Sequence, residues 1–347
     1  MRKKQSFTFA GNIALVLFAA AILFGAAPAQ AAEKGLELSF ALHVPPKAAL
    51  YPKAFVPWAK EIEKRTNGKL KFKFYVSQTL VKMRDSYDAV VNGIADASWF
   101  YSSWAKGRFP LMEVMDLPYM TKSTYAGSHV MTKLYKKFPE IQKELKDVHP
   151  LWFWTTMPYE IHTVKQPIRK LEDMKGLKFA TQPGALKAVE GAGAIAVTMG
   201  SPDIYPTVEK GVADGSALAW GAYKAYKLVE VTNYHTNAHL GGLGSFIIMN
   251  KNSWNKIPKD LQKVVTDVTN ELMPDMQCAS VVAERELAKK ITNEAKHEII
   301  ELSASERARW VATGKPAWEK WAKAMEAKGL PGNAVLAEAI KLMNEEP

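Results

Sequence analysis

The chain has 347 residues, 48% of them hydrophobic, and 46 Lys and Arg against 35 Asp and Glu give a net charge of +11. This length suits two compact units better than one core, and the apolar share excludes a disordered chain. Lysines interleave with glutamates over 54–69 and 284–296. That is a solvated helix surface, not the concentrated basic stripe that nucleic acid needs, so nucleic acid is not an expected partner.

The chain opens with Arg2, Lys3 and Lys4, an apolar run over 13–27 and the small-residue site Ala29-Gln30-Ala31. This order predicts a cleavable signal peptide over 1–31 and a periplasmic address. The run is shorter than the roughly 20 residues a spanning helix needs, and no cysteine near the site offers a lipid acceptor. A soluble product without stable membrane insertion follows.

A strand is predicted over 36–44, carrying His43 at its end before Pro45-Pro46. Phe55, Trp58, Ala59 and Ile62 recur at helical spacing, with Asn67-Gly68 as the stop. Residues 70–76 alternate apolar with Lys71 and Lys73, as a strand does. A second helix over 79–92 stops at Gly93, and a third strand covers 94–99. The order is β-α-β-α-β, an open sheet with crossover helices.

Asn92-Gly93-Ile94-Ala95-Asp96-Ala97-Ser98 is echoed by Lys210-Gly211-Val212-Ala213-Asp214-Gly215-Ser216. A strand over 177–181, a helix over 184–191 and a strand over 195–199 precede the second copy. Two lobes of similar internal logic are implied. Ligands of such sheets bind beyond the carboxyl ends of the strands, which makes Trp99, Phe100 and Tyr101 in one lobe and Trp220 and Tyr223 in the other candidate ligand contacts. For each ring, ordinary core packing is the competing reading.

Little here could run a reaction. His235 and His239 have metal-pair spacing, but the glycines of Gly241-Gly242-Leu243-Gly244 argue against a helix and no third ligand follows. Gly191-Ala192-Gly193-Ala194-Ile195-Ala196 follows a helix and enters a strand, the reverse of a dinucleotide fingerprint. There is no G-x-S-x-G elbow or phosphate loop, and the single Cys278 lies in a helical stretch as a structural thiol. No metal, cofactor or enzymatic activity is expected.

Several segments carry a family likeness: Glu61-Ile62-Glu63-Lys64-Arg65-Thr66-Asn67-Gly68-Lys69 within 55–75, Ser77-Gln78-Thr79-Leu80 running to Gly93-Ile94-Ala95-Asp96, and Phe109-Pro110 to Asp116-Leu117-Pro118-Tyr119. The most specific is Pro167-Ile168-Arg169 through Asp173-Met174-Lys175-Gly176-Leu177-Lys178-Phe179, continuing by Ile204-Tyr205 to Val212-Ala213-Asp214-Gly215. Met249-Asn250-Lys251 with Trp254 to Leu261 is a weaker fifth. In these the chain resembles the DctP-type solute-binding proteins of tripartite ATP-independent periplasmic (TRAP) transporters.

The resemblance implies a two-lobed α/β periplasmic binding protein fold with a hinge and a ligand cleft between the lobes. It implies a monomer that captures a small organic solute by closure and delivers it to the TRAP membrane permease; service to a sensor or chemoreceptor is the alternative. Lobe I is expected over 32–155 and 246–285, and lobe II over 156–245 and 286–347. Crossings are expected near 152–159 and 246–250, with a long helix after Leu261.

Two departures bear on the ligand. Relatives place an arginine, which grips a carboxylate in two parallel hydrogen bonds, where this chain has Ala180, and commonly a polar residue where it has Leu218. With Trp220, and with Trp152, Trp154 and Tyr159 at the expected hinge, this predicts an aromatic or largely apolar solute, an aromatic acid included. Gln182, Gln78 and His43 are the neutral polar groups expected to orient it, and Lys178, Arg169 and Arg84 are the cations within choice.

Overall fold

The computed structural model describes residues 35–105 and 107–346, so the expected signal peptide over 1–31 lies outside the described residues. Two sheets organise the chain. The first contains β1 (Leu36–Ala41), β2 (Leu70–Tyr75), β3 (Ala97–Tyr101) and β4 (Val148–Thr155), and the second β5 (Glu160–Thr163), β6 (Lys178–Thr181), β7 (Ile195–Thr198), β8 (Gly215–Leu218) and β9 (Tyr234–Asn237). β10 (Gly244–Asn250) returns to the first sheet and β11 (Glu298–Glu301) to the second, giving orders β2-β1-β3-β10-β4 and β11-β9-β5-β8-β6-β7.

The helices on the first sheet are α1 (Val56–Arg65), α2 (Ser86–Val91), α3 (Thr124–Lys137) and α4 (Pro139–Glu144). Those on the second are α5 (Leu186–Gly191), α6 (Ser201–Glu209) and α7 (Trp220–Ala225). Then follow α8 (Lys251–Lys256), α9 (Lys259–Glu294), α10 (Ala304–Glu326) and α11 (Gly332–Glu345). α1 buries Trp58, Ala59 and Ile62 as its spacing predicts. The helix expected over 79–92 shrinks to α2, because the Thr79 hydroxyl bonds the Val76 carbonyl and the Gln78 side chain accepts the Met83 N–H. Such local bonds compete with helix.

The sequence echo is a topological repeat. In the first sheet the unit runs β1, β2, β3 in spatial order β2-β1-β3, and in the second β6, β7, β8 in spatial order β7-β6-β8, all parallel. The echoed glycines take left-handed backbone, Gly93 at φ +73° and Gly211 at φ +70°. The echoed aspartates do the same work: Asp96 accepts the Ser39 N–H of β1 at 2.8 Å, and Asp214 accepts the Lys178 N–H of β6 at 2.8 Å. The copies differ where Ala97 is matched by Gly215. A Cβ on Gly215 would lie 2.2 Å from the His162 carbonyl oxygen, so only glycine lets β8 close on β5.

The chain passes between the sheets at 156–159 and at 238–243. These passes run antiparallel and bond each other: Thr156 N–H to Leu243 O, Tyr159 N–H to Gly241 O, and Leu240 N–H to Tyr159 O. Two buried carboxyls clasp the ends of the second pass. Glu160 accepts the His239 N–H at 2.8 Å and Asp116 accepts the Gly244 N–H at 2.5 Å. The second crossing therefore precedes the 246–250 expected from sequence. That stretch is the interior of β10, wedged antiparallel between β3 and β4.

Residues 286–347 do not stay with the second sheet. β11 does, and α10 begins there, with Glu306 accepting the Leu171 N–H. Farther along α10 the indoles of Trp318 and Trp321 donate to Pro118 O and Pro110 O, and α11 packs on α3. The apolar face formed by Trp321, Met325, Val335 and Leu342 finds its partners, Val130 and Met131 among them, beside the first sheet.

Gly215→Ala should lower the unfolding free energy by about 3 kcal/mol or more, since backbone must move to admit the methyl; chemical denaturation reads this, and a loss below about 1 kcal/mol would contradict the packing. Burial pushes Asp116 up to about 7 and Glu160 up to about 8. Between the ordinary carboxyl value and these, the folded state holds protons the unfolded state has released, so stability falls as pH rises. The half-buried His43 and the buried His162 are held low by desolvation, to about 3 and about 4, and bear only on the range below the free imidazole value of 6.5. Between pH 6.5 and 8 the melting temperature should therefore decline, less steeply in Glu160→Gln; equal slopes would show that Glu160 ionises freely.

Candidate functional site

β4 ends and β10 begins at the crossings, so the carboxyl ends of β1, β3 and β4 face the second sheet. Strand register sets which side chains gather there. Trp154, Ser245 and Tyr101 form one cross-strand row, and Trp152, Ile247 and Trp99 the row behind it, all on one face. The Trp99 ring lies 4.0 Å from His43, 4.8 Å from Trp154 and 5.5 Å from Tyr101, and its indole N–H donates to the Ser245 hydroxyl. The Tyr101 hydroxyl meets His43 Nε2 at 3.4 Å. Four aromatic rings thus make a continuous wall at the cleft edge of the first lobe.

Burial governs the electrostatics of this wall. It pushes the His43 imidazole down to about 3, so the ring is neutral at physiological pH. It raises the Tyr101 phenol, with a smaller push from Tyr226 of the second lobe, and raises Tyr159, with smaller pushes from Tyr101 and Asp116. The Tyr159 hydroxyl donates to Gln182 Oε1 at 2.8 Å, and Gln182 Nε2 donates to the Ser201 hydroxyl at 2.6 Å. Tyr159 and Gln182 therefore form the polar edge on the second lobe. One apolar cluster contains Trp99 and Trp154 of the first lobe, Met157 and Tyr159 of the crossing, and Ala185, Ala180 and Leu218 of the second lobe.

Other candidates fall elsewhere. Phe100 points to the opposite face of β3, stacked 5.0 Å from Phe246 and edge-on to Tyr87; two-residue alternation makes it the odd member of Trp99-Phe100-Tyr101. Trp220, Tyr223 and Leu218 lie in the interior of the second lobe. The Trp220 indole donates to Asn237 Oδ1 at 2.9 Å, Tyr223 stacks 4.4 Å from His162, and His162 Nε2 lies 2.9 Å from the Leu218 carbonyl. Ala180 is buried in register with Ser216 and Val197. Gln78 is exposed and has φ +61°, its side chain spent on the turn.

Two of the cations considered from sequence are away from this edge: Arg169 pairs with Glu298 where β11 starts, and Lys178 opens β6 at the end opposite the cleft. Arg84 is exposed in the loop that follows the carboxyl end of β2, on the cleft side of the first sheet, and is not part of the aromatic wall. His235 bonds His162 and His297 inside the second lobe, while His239 sits in the crossing. Among the described residues no group of three His, Cys, Asp or Glu is arranged to hold a metal ion. Ser245, Tyr226 and Ser201 escaped the sequence reading: Ser245 enters through the long-range return of β10, and nothing local marks the other two.

Residues 40–324 match the family model described as bacterial extracellular solute-binding protein, family 7. The C4-dicarboxylate-binding periplasmic protein DctP of Rhodobacter capsulatus is 28% identical over 276 residues, 77% of this chain and 80% of that one. A TRAP solute-binding protein of Rhodoferax ferrireducens T118, solved with copurified benzoate, superposes with TM-score 0.81 at 25% identity, covering 89% of this chain and 98% of that one. A marine metagenome TRAP solute-binding protein specific for aromatic acid ligands, solved with 3-hydroxybenzoate, gives TM-score 0.80 at 27% identity over 90% of this chain and 98% of that one. With its two sheets, its paired crossings and a family match over most of its length, this chain belongs to family 7 of the bacterial extracellular solute-binding proteins.

Proposed function

We propose that the protein is the periplasmic receptor of a TRAP transporter, exported by its N-terminal segment, and that it carries an aromatic acid to the membrane permease. The wall of His43, Trp99, Tyr101 and Trp154 carries this reading. Flat rings with a few neutral polar groups suit a flat, largely apolar solute, and two similar structures hold benzoate and 3-hydroxybenzoate. The lobes close because the solute touches both, and only the closed form offers both sets of contacts.

Titration calorimetry with benzoate and 3-hydroxybenzoate should give micromolar or tighter binding, with a smaller radius of gyration by X-ray scattering once ligand is bound. No binding of either acid, with tight binding of a small dicarboxylate, would overturn the aromatic reading. Tyr101→Ala should weaken the aromatic acids about tenfold, as expected for one lost ring contact, and should cost less stability than loss of a fully buried ring, since Tyr101 is only half-buried. Trp220→Ala should instead cost about 3–5 kcal/mol of stability. If Trp220→Ala weakens binding with no loss of stability, the indole belongs to the site.

A further inference from the structure

Buried polar atoms are nearly always hydrogen-bonded, and one without a partner costs about 1–3 kcal/mol. Two such atoms lie in the aromatic wall. Trp154 Nε1 and His43 Nδ1 are buried with no partner among the described residues. They flank the same ring, Trp99, at 4.8 Å and 4.0 Å between ring centroids. Trp154 is 3% exposed and stands at the cleft end of β4, so neither solvent nor strand pairing accounts for its N–H.

An indole nitrogen can only donate. His43 supplies a second donor in the tautomer that accepts the Tyr101 hydroxyl proton at Nε2, 3.4 Å away, and carries its own hydrogen on Nδ1. Because burial keeps this ring neutral, it presents a dipole and not a charge. The adjoining hydroxyl of Ser245 is already taken by the Trp99 indole. An oxygen acceptor that reaches either side of the Trp99 ring would find an unspent ring nitrogen there.

We propose that Trp154 Nε1 and His43 Nδ1 are the hydrogen-bond donors that hold the oxygen atoms of the bound aromatic acid, so that its carboxylate is fixed by neutral dipoles of the first lobe and not by a cation. This rests on the aromatic-acid reading above. Both atoms are covered in the present arrangement of the lobes, and opening about the 156–159 and 238–243 crossings brings the solute to them. Recognition of this kind selects for an acceptor oxygen attached to a flat ring. The donors themselves carry no charge that titrates wherever His43 is neutral.

The test is calorimetry of the intact protein with benzoate. Trp154→Phe keeps the ring and removes the N–H, and should weaken binding at least tenfold while the ligand-free melting temperature stays equal or rises, because an unpaired buried group is gone. His43→Leu should weaken binding similarly, and His43→Asn, whose amide N–H can replace Nδ1–H, should recover much of the loss. The loss caused by Trp154→Phe should vary less than threefold between pH 6 and 8.5, a ratio in which titration of Asp116 and Glu160 at the crossings cancels. If parent and variants bind benzoate equally well, or if that loss changes steeply over this range, the donor assignment is wrong while the aromatic reading stands. If the parent binds neither benzoate nor 3-hydroxybenzoate, both fall together.

Discussion

The backbone ladder between residues 156–159 and 240–243 is the constraint on which the rest depends. It is the paired backbone that joins the two sheets, and its bonds link two segments far apart in sequence to each other. The buried carboxyls at its ends, Glu160 and Asp116, each accept one N–H of the same segment. A main-chain segment passing between two cores must satisfy its polar groups there or leave them unpaired at high cost. Fixing the passes fixes where the ends of β4 and β10 stand, and so where Trp154, Ser245 and Tyr101 meet.

The lobes are built by one repeated device. A left-handed glycine ends a helix, an aspartate three residues on returns to the first strand, and the new strand runs toward the cleft. Duplicating this unit puts two sets of strand ends opposite each other. The lobes then diverge in chemistry. The first presents rings at its edge, whereas the second buries its rings with His162 and His235 and presents Tyr159 and Gln182.

Local pattern was legible in the sequence wherever it decided the outcome. The repeat, the strands at 36–41, 70–75 and 178–181 and the face of α1 follow from periodicity and punctuation. The wall was half legible. Trp99 and Tyr101 share a face by alternation, and the same rule turns Phe100 away. Trp220 opens the helix just beyond its strand, yet Asn237 gives its indole a partner inside the lobe. The place of β10 could not be read locally, because a strand inserted antiparallel between β3 and β4 depends on partners about 90 to 150 residues away. The expected second crossing was misplaced for that reason, and Ser245 was missed with it.

The apolar cluster that contains Trp99 and Trp154 together with Ala185 and Leu218 has a thermodynamic consequence. Where the lobes already touch, the protein is a competitor for its own binding surface. A solute that enters must exchange contact for contact, and its affinity is the difference between what it gains and what the side chains give up. Molecules that match the displaced rings in flatness and apolar area break even on that exchange, while small, heavily hydrated ones lose. Selectivity is then set in part by the contacts the lobes make with each other.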